Sequence, residues 1–354
     1  MTRILAIVLA MAASFSQAAI GCTSALVPAS KSATGRPLMW KHRDTGTEGN
    51  FIEKVAPSPS TFGYVALFNE GDSLLQEAWM GYNDAGFAIM NTASYNVAQY
   101  QGPEDREGFV MTQALKYCST VDDFEQLLDT IAAPAGIMAN FGVMDATGAM
   151  AYIEADDLTR HRYDAGDSVL VRTNFSEGWN IKGGRGIERF NATYCLLGTD
   201  FKRGSLTPLH FINKASHSFF DSSAGVDYAL SDSALVEDTG KLIPRGISTA
   251  SVVIEGAPRA ADIVMWTVLG FPPLGYMEPV TLADIPHSLR PVLPGYAAPM
   301  SRAVNLEKRQ CLTRTRAGKR AFVMAKLLPR MTATSTYNEM IYRAFHPKPQ
   351  KHSR

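Results

Sequence analysis

Short apolar segments bounded by turn residues recur through the first half of the chain, and they constrain its fold more than any other feature. Segments such as 22–27, 62–68 and 86–91 have the length and composition of β-strands. The stretch "FGVMDATGAMAYIEA" predicts a hairpin, because two apolar runs flank an Ala-Thr-Gly turn. Further strand segments are predicted at 36–41, 168–174, 249–255 and 262–270.

Helical segments interrupt this series of strands. Residues 120–131 predict a helix that Thr120 caps, with acidic residues in its first turn and an apolar face that includes Phe124 and Leu128. Further helices are predicted at 109–117, at 186–197 and from about 303 to 328. The predicted order is a run of strands, then helices, then strands again. This order predicts an α+β layered domain rather than an alternating parallel fold. No GxGxxG or GxxxxGK[ST] motif follows a strand, which disfavours nucleotide-binding folds.

The overall composition is that of an ordinary globular protein. Of 354 residues, 46% are hydrophobic, and the formal net charge of +0 gives no general attraction for nucleic acid. The segment 1–21 resembles a secretion signal, since Arg3 precedes an apolar run and small residues follow. We expect a domain at 22–345 and a basic flexible tail at 346–354, in the periplasm or outside the cell. No later stretch is long enough for an integral membrane segment in the mature chain.

The signal segment ends beside a cysteine. Ala19 and Gly21 permit cleavage before Cys22, while Ser16 and Ala18 permit cleavage after Ala18, and the sequence does not choose between them. Cleavage before Cys22 would place a thiol and a free α-amine on one residue. An α-amine has a pKa of roughly 7.7 to 8, so it can serve as general base for its own thiol.

A second interpretation of the same segment is a lipid anchor. The stretch "AIGC" is similar to a bacterial lipobox, with alanine where leucine is preferred. Diacylation of Cys22 would then tether a binding protein without catalysis. The two interpretations differ in the intact mass of the mature chain.

The remaining cysteines give no sign of a metal site. Cys118, Cys195 and Cys311 are widely spaced, and the pairing of the three is left open. No CxxC motif or histidine-rich cluster occurs, so neither a metal nor another cofactor is predicted.

The segment "GRPLMWKHRD" supplies charged side chains downstream of the cysteine. On a regular strand, Lys41 and Arg43 would share one face, with His42 and Asp44 on the other. A carboxylate could hold the nucleophile's amine, and a cation could stabilise its thiolate. Charges at a strand end are the alternative, and His42 is assigned no role.

Taken in order, "CTSALV", "GRPLMWKHRD", "GYNDAGFAIMNTASYN", "VRTNF" and "PRGISTASVVI" resemble the linear-amide class of N-terminal-nucleophile hydrolases. This class includes relatives of penicillin V acylase, bile salt hydrolase and the acyl-coenzyme A:6-aminopenicillanic acid acyltransferase group. The resemblance runs from Cys22 to about residue 275. It implies a four-layer αββα sandwich, Cys22 as nucleophile and a small-molecule acyl amide as substrate. Hydrolysis or acyl transfer, the particular amide and a homo-oligomeric state all stay open.

The resemblance also implies roles for other residues. Asp44 matches the carboxylate that binds the nucleophile's amine, and Asn91 matches an oxyanion-hole residue. Asn174 matches an asparagine that binds the amine or the oxyanion, and Arg245 corresponds best to the arginine of a late strand. The relatives' arginine-x-x-aspartate pattern begins here with Lys41, so either this lysine or Arg43 fills the cationic role.

Overall fold

The computed structural model describes residues 21–97, 105–132 and 134–346, and its framework is a pair of antiparallel sheets. Residues 1–20 of the predicted signal segment 1–21, and residues 347–354 of the predicted tail 346–354, lie outside the described residues. Strands are numbered in chain order. Seven strands, each paired with the next in the chain, form one sheet: β3 (Asn50–Val55), β4 (Tyr64–Asn69), β5 (Met80–Asn83), β6 (Ala88–Ala93), β7 (Met138–Met144), β8 (Met150–Asp156) and β9 (Arg160–Asp164). Six strands form the other, in the spatial order β10 (Leu170–Arg172), β1 (Thr23–Val27), β2 (Leu38–Asp44), β14 (Ser248–Glu255), β15 (Val264–Leu269) and β16 (Glu278–Val280).

Helices and short strands complete the described chain. The α-helices are α1 (Glu107–Tyr117), α2 (Val121–Thr130), α3 (Ile187–Arg203), α4 (Pro299–Cys311) and α5 (Met324–Phe345). The short helical turns are Ala29–Lys31, Ala260–Asp262 and Pro272–Leu274, with a π-helix at His210–Ala215. The small sheets comprise β11 (Phe220–Asp221) with β12 (Val226–Asp227), and β13 (Leu235–Glu237), β18 (Arg320–Val323) and β17 (Leu312–Arg314). None of the helices in these ranges combines the length and apolar character that a membrane span requires.

The layers stack as αββα. One apolar core joins the inner faces of the two sheets and continues to the helical layer of α1 and α2, which contributes Leu115 and Phe124. A second core lies on the opposite face of the six-stranded sheet, where Trp40 packs against Phe211 of the π-helix, with ring centroids 5.1 Å apart. Helix α3 and the end of α5 complete this outer layer. Since each sheet buries both faces, the predicted α+β, four-layer αββα sandwich is confirmed.

The predicted helix at 120–131 is confirmed as α2. The Thr120 hydroxyl accepts from the Asp123 backbone N–H at 3.1 Å, and the Asp123 carboxylate accepts from the Thr120 backbone N–H at 2.9 Å. This reciprocal cap gives partners to two backbone N–H groups at the start of the helix. Loss of such a cap typically lowers the free energy of unfolding by about 1 kcal/mol.

The predicted helix from about 303 to 328 is wrong in its middle. Helix α4 ends at Cys311, and the strands β17 and β18 precede α5. Gly318, with a φ of +78°, forms the turn between these strands, and β18 pairs with the distant β13. All four cysteines are free, so the even cysteine count does not reflect disulfides.

Candidate active site

Cys22 lies immediately before β1, the second strand in the order of the six-stranded sheet. Strand β1 pairs with β2 so that Ser24 faces Lys41 and Thr23 faces His42. Alternation therefore places Cys22, Lys41 and the neighbouring Arg43 toward the other sheet, and His42 on the helical side. The prediction of two faces on "WKHRD" is confirmed. Cys22 is only 6% exposed, and its Sγ lies 4.0 Å from the carbonyl oxygen of Asp44.

The peptide that joins Gly21 to Cys22 is enclosed by polar side chains. Arg245 Nη2 donates to the Gly21 carbonyl, and Arg189 Nη1 donates to the Cys22 carbonyl at 2.6 Å. A Cβ atom on Gly21 would lie 2.6 Å from Arg245 Nη2 and 2.7 Å from Asn174 Oδ1. A side chain at this position would therefore require the Arg245 or Asn174 side chain to move.

Asp44 reaches this peptide through Arg245. The guanidinium donates to Asp44 Oδ2 through Nε, at 3.1 Å, and through Nη2, which also bonds Gly21. The other oxygen, Oδ1, accepts from the Ser248 hydroxyl. The Asp44 side chain is fully buried. A buried carboxylate requires such pairing, because losing one partner leaves the other charge uncompensated.

Asn174 lies at the same junction, after β10. Its Oδ1 accepts from Arg189 Nη2 at 2.6 Å, and its Nδ2 donates to the Ala93 carbonyl at 2.8 Å. Both bonds are buried or partly buried, so this amide connects the end of β6 to the arginine that holds the Cys22 carbonyl. The predicted residues Asp44, Asn174 and Arg245 therefore meet around one peptide.

Lys41 and Asn91 form a separate pair on the inter-sheet side. Lys41 Nζ donates to Asn91 Oδ1 at 2.6 Å and to the Trp79 carbonyl at 2.8 Å, and Asn91 Nδ2 donates to Glu107. Burial lowers the pKa of Lys41 to about 8, although a charge on Cys22 acts in the opposite direction. Burial raises the pKa of Glu107 well above its ordinary range. Asn91 thus bonds the lysine, not Cys22, and its expected oxyanion role stays a prediction.

Arg43 is bound by different strands of the facing sheet. Its guanidinium donates to Asn50 Oδ1 at 2.7 Å and to Asn69 Oδ1 at 2.9 Å, and it lies 5.0 Å from the Trp79 ring centroid. Both candidates for the cationic role are therefore buried on the Cys22 side of β2. Lys41 is tied to β6 and Arg43 to β3 and β4.

Arg189 was not predicted from the sequence, and neither were Glu107 and Ser248. Arg189 lies on the buried face of α3, where it shares a stripe with Ala192 and Thr193, three and four positions later. Besides the Cys22 carbonyl, it donates to the Thr23 hydroxyl at 2.9 Å and the Gly240 carbonyl at 3.2 Å. An arginine at a core-facing position of an amphipathic helix is the signal that could have found it.

Within the described ranges, no three His, Cys, Asp or Glu side chains are grouped to hold a metal ion. The side chains brought together around Cys22 are two carboxylates, several amides and four cations. Together with the thiol, such groups can supply a nucleophile and proton transfer.

No family model matches the chain, and no curated protein matches it. Solved structures that it resembles include penicillin V acylase from Agrobacterium tumefaciens, with 11% identity and a TM-score of 0.41 over 75% of this chain and 87% of that one. Conjugated bile acid hydrolase from Clostridium perfringens matches at 12% identity and a TM-score of 0.48, over 75% of this chain and 93% of that one. An N-acylethanolamine-hydrolyzing acid amidase ortholog from Caenorhabditis elegans matches at 13% identity and a TM-score of 0.39. This match covers 66% of this chain and 92% of that one. The αββα layering rests on the sheets of this chain itself.

Proposed function

We propose that this chain is an exported cysteine amidohydrolase that cleaves the C–N bond of a linear acyl amide. The observation that carries the proposal is the enclosure of the Gly21–Cys22 peptide by Arg189, Arg245 and Asn174. Cleavage of this peptide leaves the Cys22 thiol and a new α-amine inside a preformed polar site. The motif resemblance supports the same nucleophile.

The reaction then proceeds through a thioester. Cys22 Sγ attacks the acyl carbon, and the thiol proton passes to the α-amine of Cys22 and then to the departing amine. Water next attacks the thioester, gives a proton to the same α-amine and releases the acid, and the thiol is restored. An amine in place of water would give acyl transfer.

The surrounding side chains fit these steps. Asn174 Oδ1 and the pair of Asp44 with Arg245 lie where they can orient the new amine. Lys41 and Arg43 favour a thiolate, because nearby positive charge stabilises it. Asn91 is proposed to supply an oxyanion donor through its amide nitrogen. Loss of one such donor typically lowers the rate about 100- to 1000-fold.

The burial of Cys22 favours this function over a lipid anchor. A diacylglyceryl group on Sγ has to lie in lipid, whereas this cysteine is only 6% exposed, immediately before β1. The intact mass of the mature protein distinguishes the two: an unmodified chain that begins at Cys22 supports the amidase. A diacylglyceryl addition would refute it.

The central experiment is a panel of N-acyl amides assayed with the mature protein and its Cys22→Ser variant. We expect turnover for at least one amide, an acyl adduct on Cys22 by mass spectrometry, and nearly complete loss of turnover in a normally folded variant. Cys195→Ser is the matched control, because this cysteine is exposed on α3 and should leave turnover unchanged. Undiminished turnover in Cys22→Ser would contradict the proposed nucleophile.

A further inference from the structure

His42 is a fully buried histidine that contacts Ser248, the residue whose hydroxyl donates to Asp44. It lies on the helical side of β2, between Thr23 of β1 and Ser251 of β14 in register. His42 Nε2 lies 2.9 Å from the Ser248 hydroxyl, which itself bonds Asp44 Oδ1.

Counting protons assigns the direction of each bond at Ser248. The hydroxyl has one proton, and the carboxylate of Asp44 is its strongest acceptor. The backbone N–H of Arg245 donates to the same oxygen at 2.8 Å. His42 must therefore donate as well, so its Nε2 carries the proton. The other ring nitrogen, Nδ1, is buried and has no hydrogen-bond partner among the described residues.

The charge around the ring agrees with a neutral imidazole. Burial lowers the pKa of His42 to about 4, although Asp44 acts in the opposite direction, and Arg245 and Arg189 reinforce the lowering. At neutral pH the ring is thus an uncharged donor with a fixed tautomer. A charged ring would add a third cation beside the two arginines.

We infer that His42 is a positioning residue, whose Nε2–H directs the Ser248 hydroxyl onto Asp44 and thereby fixes the carboxylate. Two donors to the hydroxyl oxygen polarise its O–H bond, which strengthens the bond that Asp44 receives. The inference rests on the proposed function, in which Asp44 orients the amine of Cys22.

The kinetic test compares two substitutions of the same residue. His42→Gln keeps an N–H donor of similar reach, whereas His42→Leu removes the donor. We expect His42→Leu to lower kcat about tenfold with KM unchanged, because a tenfold change corresponds to the loss of one hydrogen bond. We expect His42→Gln to retain most of the wild-type kcat. In a Ser248→Ala background, His42→Leu should have no further effect on kcat. Equal losses in both variants, or additive losses with Ser248→Ala, would overturn the inference.

The control is His217, a second buried histidine, which bonds Ser335 and the Pro272 carbonyl rather than the Asp44 group. His217→Gln should leave kcat unchanged. A loss there equal to that of His42→Leu would assign the effect to general destabilisation.

A spectroscopic measurement tests the donor without any substrate. Nitrogen-15 NMR of the mature protein, with the His42 signal assigned by its absence in His42→Gln, should show the neutral Nε2–H tautomer from pH 8 to pH 5. The Nδ1–H tautomer, or a ring that charges within this range, would overturn the inference. Absence of amidase activity together with the expected tautomer would refute the proposed function and the positioning role but leave the hydrogen-bond assignment intact.

Discussion

The two faces of β2 carry charge in different ways. On the inter-sheet face, the cations Lys41 and Arg43 are held by amide and carbonyl oxygens. On the helical face, Asp44 meets the opposite charge of Arg245, with the neutral His42 alongside. All these side chains are buried, so the difference lies in their partners and not in their exposure.

This difference separates two tasks in the proposed mechanism. A cation held by neutral dipoles keeps its net charge, and in a site of low dielectric that charge acts strongly on a nearby thiol. An ion pair largely cancels its own field at a distance but fixes geometry through directional bonds. The inter-sheet face is therefore suited to stabilise the Cys22 thiolate, and the helical face to hold its backbone.

Breaking the ion pair should have the largest effect. Asp44→Asn leaves Arg245 buried without a counter-charge, so we expect almost no turnover and a free energy of unfolding lower by about 3–5 kcal/mol. Asp145→Asn is the control, because this buried carboxylate accepts from backbone N–H groups and the Thr147 hydroxyl. Urea unfolding and turnover per folded molecule measure both effects. Near-normal turnover in Asp44→Asn would contradict its orienting role.

The second prediction concerns the amides that hold the two cations. If Asn91 donates to the oxyanion, Asn91→Ala should lower kcat about 100-fold or more with little change in KM. Asn50→Ala removes the equivalent partner of Arg43 and should lower only the melting temperature. A lower melting temperature in Asn91→Ala with unchanged kcat would limit this residue to supporting Lys41.

The smallest expected effect is a change in pH dependence. With a pKa of about 8, Lys41 is positively charged below that pH and loses its charge as the pH rises through it. The alkaline side of the kcat/KM profile should therefore fall above about pH 8. Lys41→Arg keeps its charge and should extend activity to higher pH, while Arg43→Lys should leave the lysine-dependent fall in place. Identical profiles in the wild type and Lys41→Arg would exclude Lys41 as the titrating group.

Local pattern was sufficient to predict the two faces of β2. Alternation depends only on neighbouring residues, and the pairing of Ser24 with Lys41 confirms it. The cap at Thr120 was predictable for the same reason, since its partner lies three residues away.

Long-range contacts explain what the sequence did not predict. Arg189 lies 167 positions from Cys22, and only the docking of α3 brings them together. The wrong helix at 303–328 has a similar cause, because β18 is a strand through its pairing with β13. The proton direction at His42 depends on Ser248, 206 positions away.

The strand order also determines when the site can exist. The seven-stranded sheet is a continuous meander that ends at Asp164, so it can form as soon as that part of the chain has been synthesised. The six-stranded sheet pairs β2 with β14, and Asp44 bonds a serine 204 positions later. Such non-local contacts form slowly during folding. A nascent or truncated chain that stops before residue 245 carries Cys22 but neither Arg245 nor Ser248. The order of strands thus ties assembly of the polar site around Cys22 to the synthesis of β14.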